Sequence, residues 1–222
     1  MAGTCLAASN GATGQAESAL GYLAQALKNQ DTLTPALAVW MQTLAGELAT
    51  GLGRNADAER YFRQAILGAT REAGQPDLYL LTAWADLLLD QQRDREVVTL
   101  LSNHTAADTT LLRLARAEQR LGMASGTTHM QELAGRLQAL LDRGDQGHGR
   151  EQAYYALYLR DDPQTALLMA SQNWTKQREL IDSRLLLEAA TRVGDEATVQ
   201  RVRGWLAAIG TKDVRLPRGA GS

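Results

Sequence analysis

The chain has 222 residues, with 23 Lys plus Arg against 25 Asp plus Glu, a formal net charge of -2 and a single cysteine. Charges of both signs are interspersed, so no basic field invites nucleic acid or an anionic lipid surface, and the lone Cys5 excludes an internal disulfide or a cysteine-based metal site. Ala and Leu dominate while Pro appears 4 times and Phe once, which is the composition of helices rather than strands, and no apolar run reaches the roughly 20 residues of a membrane helix.

Met1–Ala7 has no charged segment followed by an apolar one, so it does not read as an intact signal peptide. Residues 4–13 read as the stub of a first helix whose partner spans 15–29. A solenoid normally ends in a polar cap, so a start on a stub predicts the C-terminal part of a longer repeat protein. The compartment is left open: cytoplasmic, or exported if a signal lay upstream. The stub would also be an apolar end through which copies could associate.

In the second unit Leu37, Trp40, Met41, Leu44, Ala45 and Leu48 keep helical spacing. Gly51-Leu52-Gly53 stops that helix, and Asn55 is the expected N-cap of the next. The next helix packs through Ala58, Phe62, Ala65 and Ile66, the alanines letting two backbones approach and Phe62 filling the gap between them. The third unit predicts helices over about 78–90 and 93–102. Asp108 or Thr109 is expected to cap the fourth, whose helices carry Leu111, Leu112, Leu114 and Leu121, then Met130, Leu133 and Leu137 over about 127–143. Residues 144–149 read as a flexible linker. Tyr154, Ala156, Leu157 and Tyr158 mark the fifth unit, and Asp162-Pro163 is a helix start signal. Trp174 is placed to plug the seam with the sixth unit, which carries Leu185, Leu186, Leu187 and Ala190, a stop at Gly194, a cap at Asp195, then Val199, Val202 and Trp205. Residues 211–222 are expected to fray, leaving one domain over 1–210.

One pattern recurs through these units. A turn residue is followed five positions on by a small residue and four further by a large apolar one: Gly14, Ala19, Leu23; then Gly53, Ala58, Phe62; then, more loosely, Gln92, Val97, Leu101. Gly122, Asp161 and Gly194 mark three more turns. Such self-similarity signals a repeat array.

Within residues 39–72, Ala45-Gly46, Gly53, Ala58, Phe62 and Ala65 fall where tetratricopeptide repeats place their small, turn and aromatic residues. Elsewhere Ala85 and Ala115 stand in for the glycine, Gln92 and Asp161 for the turn residue and Thr127 for the packing alanine, and the unit lengths depart from the family's 34 residues. The chain resembles the later part of bacterial multi-repeat tetratricopeptide proteins. The resemblance implies an all-α, right-handed superhelix of about six antiparallel hairpins. It also implies a concave groove, lined by the first helix of each hairpin, that binds a protein or peptide.

In that register the inward positions are Trp40, Thr43 and Glu47; Tyr79, Thr82 and Asp86; Leu112, Arg116 and Arg120; Glu151, Tyr155 and Tyr158; and Arg184, Glu188 and Arg192. The first half is acidic and the second richer in Arg and Tyr, the types that carry most interface energy, so a partner is expected to bring acidic or aromatic groups to the second half. No Lys/Asn carboxylate clamp is present. His104, His129 and His148 lie in different units, each expected on an exposed loop or face, with no second ligand at helical spacing. No cofactor, metal or catalytic residue is expected. A catalytic alternative would need a carboxylate pair such as Glu47 with Asp86, and a third reading is structural self-association.

Overall fold

A computed structural model of the protein describes residues 14–29, 33–145 and 147–216. The stub expected at 4–13, with Cys5, lies outside the described residues. Those residues form eleven α-helices and no strand: α1 Ala16–Lys28, α2 Pro35–Gly51, α3 Asn55–Ala73, α4 Leu78–Asp90, α5 Asp94–Leu101, α6 Asp108–Arg120, α7 Ala124–Asp142, α8 Gly149–Tyr158, α9 Pro163–Trp174, α10 Leu180–Val193 and α11 Glu196–Ala208. Consecutive helices pack in neighbouring pairs, as in a helical repeat array. None of the described helices is long and apolar enough to cross a membrane.

All six turn residues read from the sequence adopt the left-handed conformation: Gly14, Gly53, Gly122 and Gly194, and, as the two non-glycine residues with positive φ among the described residues, Gln92 at 58° and Asp161 at 50°. At Gly53 the helix ends in a Schellman motif, with Gly53 N–H donating to Thr50 O (3.0 Å) and Arg54 N–H to Ala49 O (2.8 Å). The same pair of bonds recurs at Gln92, Gly122 and Gly194. It satisfies two of the carbonyls that a helix end leaves without partners. The turns therefore work by backbone geometry, which is why Gln92 can occupy one at the cost of some strain.

The caps are less uniform. Asp162 Oδ1 accepts from Thr165 N–H at 3.0 Å and Asp195 Oδ1 from Thr198 N–H at 3.0 Å, as expected. The Thr165 backbone bond and then its hydroxyl hold the Asp162 carboxyl below the usual carboxylate range, and the Thr198 hydroxyl and then its backbone bond do the same for Asp195. The expected cap at Asn55 is corrected: Arg54 takes the cap position of α3 without a side-chain bond, and Asn55 is the first helical residue. At α6 the cap is Ala107 rather than Asp108 or Thr109; the Asp108 carboxylate is instead held by Arg136 at 2.9 Å.

The fold divides into two compact units, one running to Leu87 and taking in Leu206–Arg215, the other holding Leu88–Trp205. In the first unit the core gathers Leu20, Leu23, Leu44, Ala45, Ala58, Phe62, Ala65 and Leu80. A Cβ on Gly46 would fall 2.7 Å from the Phe62 ring, and one on Gly68 would fall 2.9 Å from Val39. Phe62 thus fills the gap between α2 and α3 because Gly46 leaves it room. Gly14 lies against Gly210 in the same unit, close enough that a Cβ on Gly14 would come 2.4 Å from the Gly210 carbonyl oxygen.

In the second unit, α6 packs on α5 and α7, α8 on α9, and α9 on α10, while α6, α8 and α10 follow one another. Trp174 fills its seam as expected: its ring meets Trp205 edge-on at 5.4 Å and its Nε1 donates to Ser183 Oγ at 3.2 Å. The fourth unit's register is corrected by one residue. Thr127 is exposed, and buried Gly126 is the packing residue, where a Cβ would fall 2.9 Å from Gln119 N.

Candidate binding surfaces

In the first unit, Trp40 on α2 and Asp86 on α4 are half-buried, and Tyr79 at the start of α4 donates its hydroxyl to Glu47 Oε2 on α2. Thr43 is corrected from a groove position: it is 1 % exposed and donates to Val39 O at 2.9 Å, one turn back. Leu112 in the second unit, 1 % exposed, is core for the same reason.

The second unit brings several of the expected residues together. Arg116 on α6 lays its guanidinium 3.6 Å from the centroid of the Tyr158 ring on α8, and its Nη1 donates to Tyr154 Oη at 3.2 Å. Tyr154 and Tyr158 meet edge-on at 4.7 Å. The Tyr158 hydroxyl donates to Glu188 Oε2 on α10 at 2.6 Å, and Arg192 one turn further donates to Glu188 Oε1 at 2.6 Å and to Asp161 Oδ1 at 3.1 Å. Burial, and then the facing Glu188 charge, push the Tyr158 hydroxyl well above the usual phenol range, with Arg116 opposing them. A proton held on Tyr158 Oη is what keeps this bond to a carboxylate intact.

The remaining expected cations are also engaged. Arg120 donates to Asp94 Oδ1 at 3.3 Å and to Leu89 O at 3.2 Å. Arg184 donates to Asp90 Oδ1 at 2.8 Å, across 94 residues of sequence. Tyr155 turns to α7, donating to Met130 O at 3.2 Å, and so stands apart from Tyr158. In the half expected to receive acidic or aromatic groups, Arg120, Arg184 and Arg192 are thus each paired with an acid of their own chain, and Arg116 is held by Tyr154 and Tyr158.

Two clusters escaped the sequence. Glu118, 4 % exposed, accepts from Ser125 Oγ at 2.9 Å and holds His129 Nδ1 at 2.6 Å. The expectation of an exposed His129 is corrected, its side chain being 20 % exposed. The signal was available, since Glu118 and Ser125 lie almost symmetrically about Gly122 and an antiparallel turn brings such positions together. The second cluster surrounds Asp182, 2 % exposed. It accepts from Arg150 Nε (2.7 Å) and Nη2 (2.8 Å), Asn173 Nδ2 (2.8 Å) and Glu179 N–H (2.9 Å). For Arg150, burial opposes the charge but the Asp182 bonds and charge outweigh it, leaving its pKa raised. Both clusters are saturated, which makes them joints between helices. Among the described residues no three of His, Cys, Asp and Glu group closely enough to hold a metal ion, and Glu47 is engaged by Tyr79.

No protein-family model matches the chain, and neither does any curated protein or solved structure.

Proposed function

We propose that the chain is a non-catalytic scaffold that holds an extended protein or peptide segment along the first helices of a right-handed, tetratricopeptide-like solenoid. One observation carries this reading. Arg116, Tyr158 and Glu188 come from α6, α8 and α10, which follow one another in the packing, and their side chains touch in sequence. Helices stacked in this way offer one side-chain row per unit, which suits a ligand laid across several units. Arg and Tyr are the types that anchor interfaces. Arg192 already has Glu188 and Asp161 beside it, while Arg116 lies on the two tyrosines, so a segment of alternating charge would exchange ion pairs with the surface, and a run of one sign would be rejected.

The test is selection of peptides from a displayed random library on the full chain. The expected result is a family of mixed-charge peptides that bind at least tenfold more weakly to Glu188→Ala and Arg192→Ala, both variants melting within a few degrees of the parent. Failure to enrich any peptide, or binding indifferent to both substitutions, overturns the reading.

A further inference from the structure

Residues 213–215 lie within the first unit, at a position that the sequence has cleared for them. Val214 N–H donates to Gly51 O, in the last turn of α2, at 2.9 Å. A Cβ on Gly51 would fall 2.5 Å from Asp213 Oδ2 and 3.6 Å from Arg215 Nη2. Asp213 is clasped by Arg215, which donates from its backbone N–H and Nε to Oδ1 (2.8 and 2.9 Å) and from Nη2 to Oδ2 (2.6 Å). The Asp213 side chain is 6 % exposed and that of Arg215 16 %. Val214 is turned outward, 57 % exposed, with its branched side chain in ordinary contact with the Cβ position of Gly53 at 3.4 Å.

Gly51 carries the argument. It sits in helical backbone, where glycine is less favourable than alanine by about 1 kcal/mol and no positive φ requires it. Its reason for being glycine is the carboxylate lying on its Cα. A charge so nearly buried needs a shaped seat and a matched partner; Arg215 is that partner from within the segment, drawing it into a tight turn, and the Val214 N–H bond to Gly51 O sets the turn on α2.

We propose that the C-terminal end of α2 is a docking surface for a turn-forming segment of the form aspartate, branched aliphatic, arginine, and that Lys212–Arg215 is its built-in occupant. An external segment carrying the same three residues takes the seat when the tail leaves. A tethered occupant acts at an effective concentration that reaches the millimolar range for short flexible tethers, so in the resting chain the tail excludes an external segment of similar affinity. This surface is separate from the row formed by Arg116, Tyr158 and Glu188, and the outcome here does not depend on that reading.

The probe is a fluorescent peptide of residues 211–216, Thr-Lys-Asp-Val-Arg-Leu, added to the full chain. The D213A/R215A variant, whose tail has lost its clasp, is expected to bind the peptide at least tenfold more tightly than the parent. Adding Gly51→Ala to that variant abolishes binding, and a probe with Ala for Asp fails on all forms. Independently, Gly51→Ala alone is expected to speed tryptic cleavage after Arg215 severalfold while circular dichroism keeps its helical signal. Equal binding to parent and D213A/R215A overturns the proposal, as does an unchanged cleavage rate in Gly51→Ala.

Discussion

The two units join their helices by different means. In the first, backbones approach over glycine and alanine, and an aromatic ring fills what is left: Gly46 under Phe62, Gly68 under Val39, Ala58 and Ala65 fully buried. In the second, two joints are charged and nearly buried: Asp182 with Arg150 and Asn173, and Glu118 with His129 and Ser125. Apolar joints of the first kind depend on volume and tolerate changes that conserve it. Joints of the second kind are stable when complete and costly when one member is lost. One repeat plan thus gives two mechanical characters, a joint sensitive to size and a joint sensitive to partner loss.

The contrast is sharpest at Asp182. Arg150→Ala leaves a nearly buried carboxylate short of its cation and should cost about 3 kcal/mol in urea unfolding, whereas the reverse order of sensitivity would be seen if the joint were ordinary packing. In the first unit Gly46→Ala should cost about 1–3 kcal/mol by overpacking against Phe62, and Phe62→Leu in the same chain should recover part of it. A double-mutant cycle on these two, showing no coupling, would refute the size-sensitive joint.

The left-handed turns give a smaller effect with opposite signs. Gln92→Gly relieves strain and should stabilise by about 1 kcal/mol, while Gly53→Ala should destabilise by a similar amount; thermal melts of the two variants report both. The smallest effect at neutral pH belongs to Tyr158. Its folded-state pKa is raised above the ordinary 10.0, so its contribution is fully present below pH 10 and is lost as pH climbs beyond, where the unfolded chain ionises and the folded chain does not. Stability of the parent should fall with pH above about 10 more steeply than that of Tyr158→Phe. Absorbance titration at 295 nm should find one tyrosine in the parent that ionises only on unfolding.

The repeat plan was legible because it lives in short-range signals. Left-handed turns, N-caps at Asp162 and Asp195 and the Gly46–Phe62 fit are each set within a few residues or within one helix pair. The one-residue slip at Gly126 shows the limit of that method: Thr127 and Gly126 are both small, and only the close approach to Gln119 N distinguishes them. Among the positions expected to line a groove, which side chains meet was legible in part. Arg116, Tyr158 and Glu188 share the predicted register and do meet, whereas Thr43 and Leu112 share it and are buried. Periodicity gives a face to within about a third of a turn, and burial changes across that angle. The pairings of Arg150 with Asp182 and Arg184 with Asp90 were not legible, since no local rule links positions 32 and 94 residues apart.

The apposition of Gly14 and Gly210 has a practical corollary. Two points nearly 200 residues apart in the chain share one spot in space, so a covalent splice between them would need only a linker of a few residues. The polypeptide could then be opened elsewhere, for instance at Gly144-Asp145 just beyond α7, and the rearranged gene would still encode every helix from α1 to α11 in its native surroundings. Such a permuted chain would carry its new ends there, a ready point for attaching a dye, a tether or a second domain.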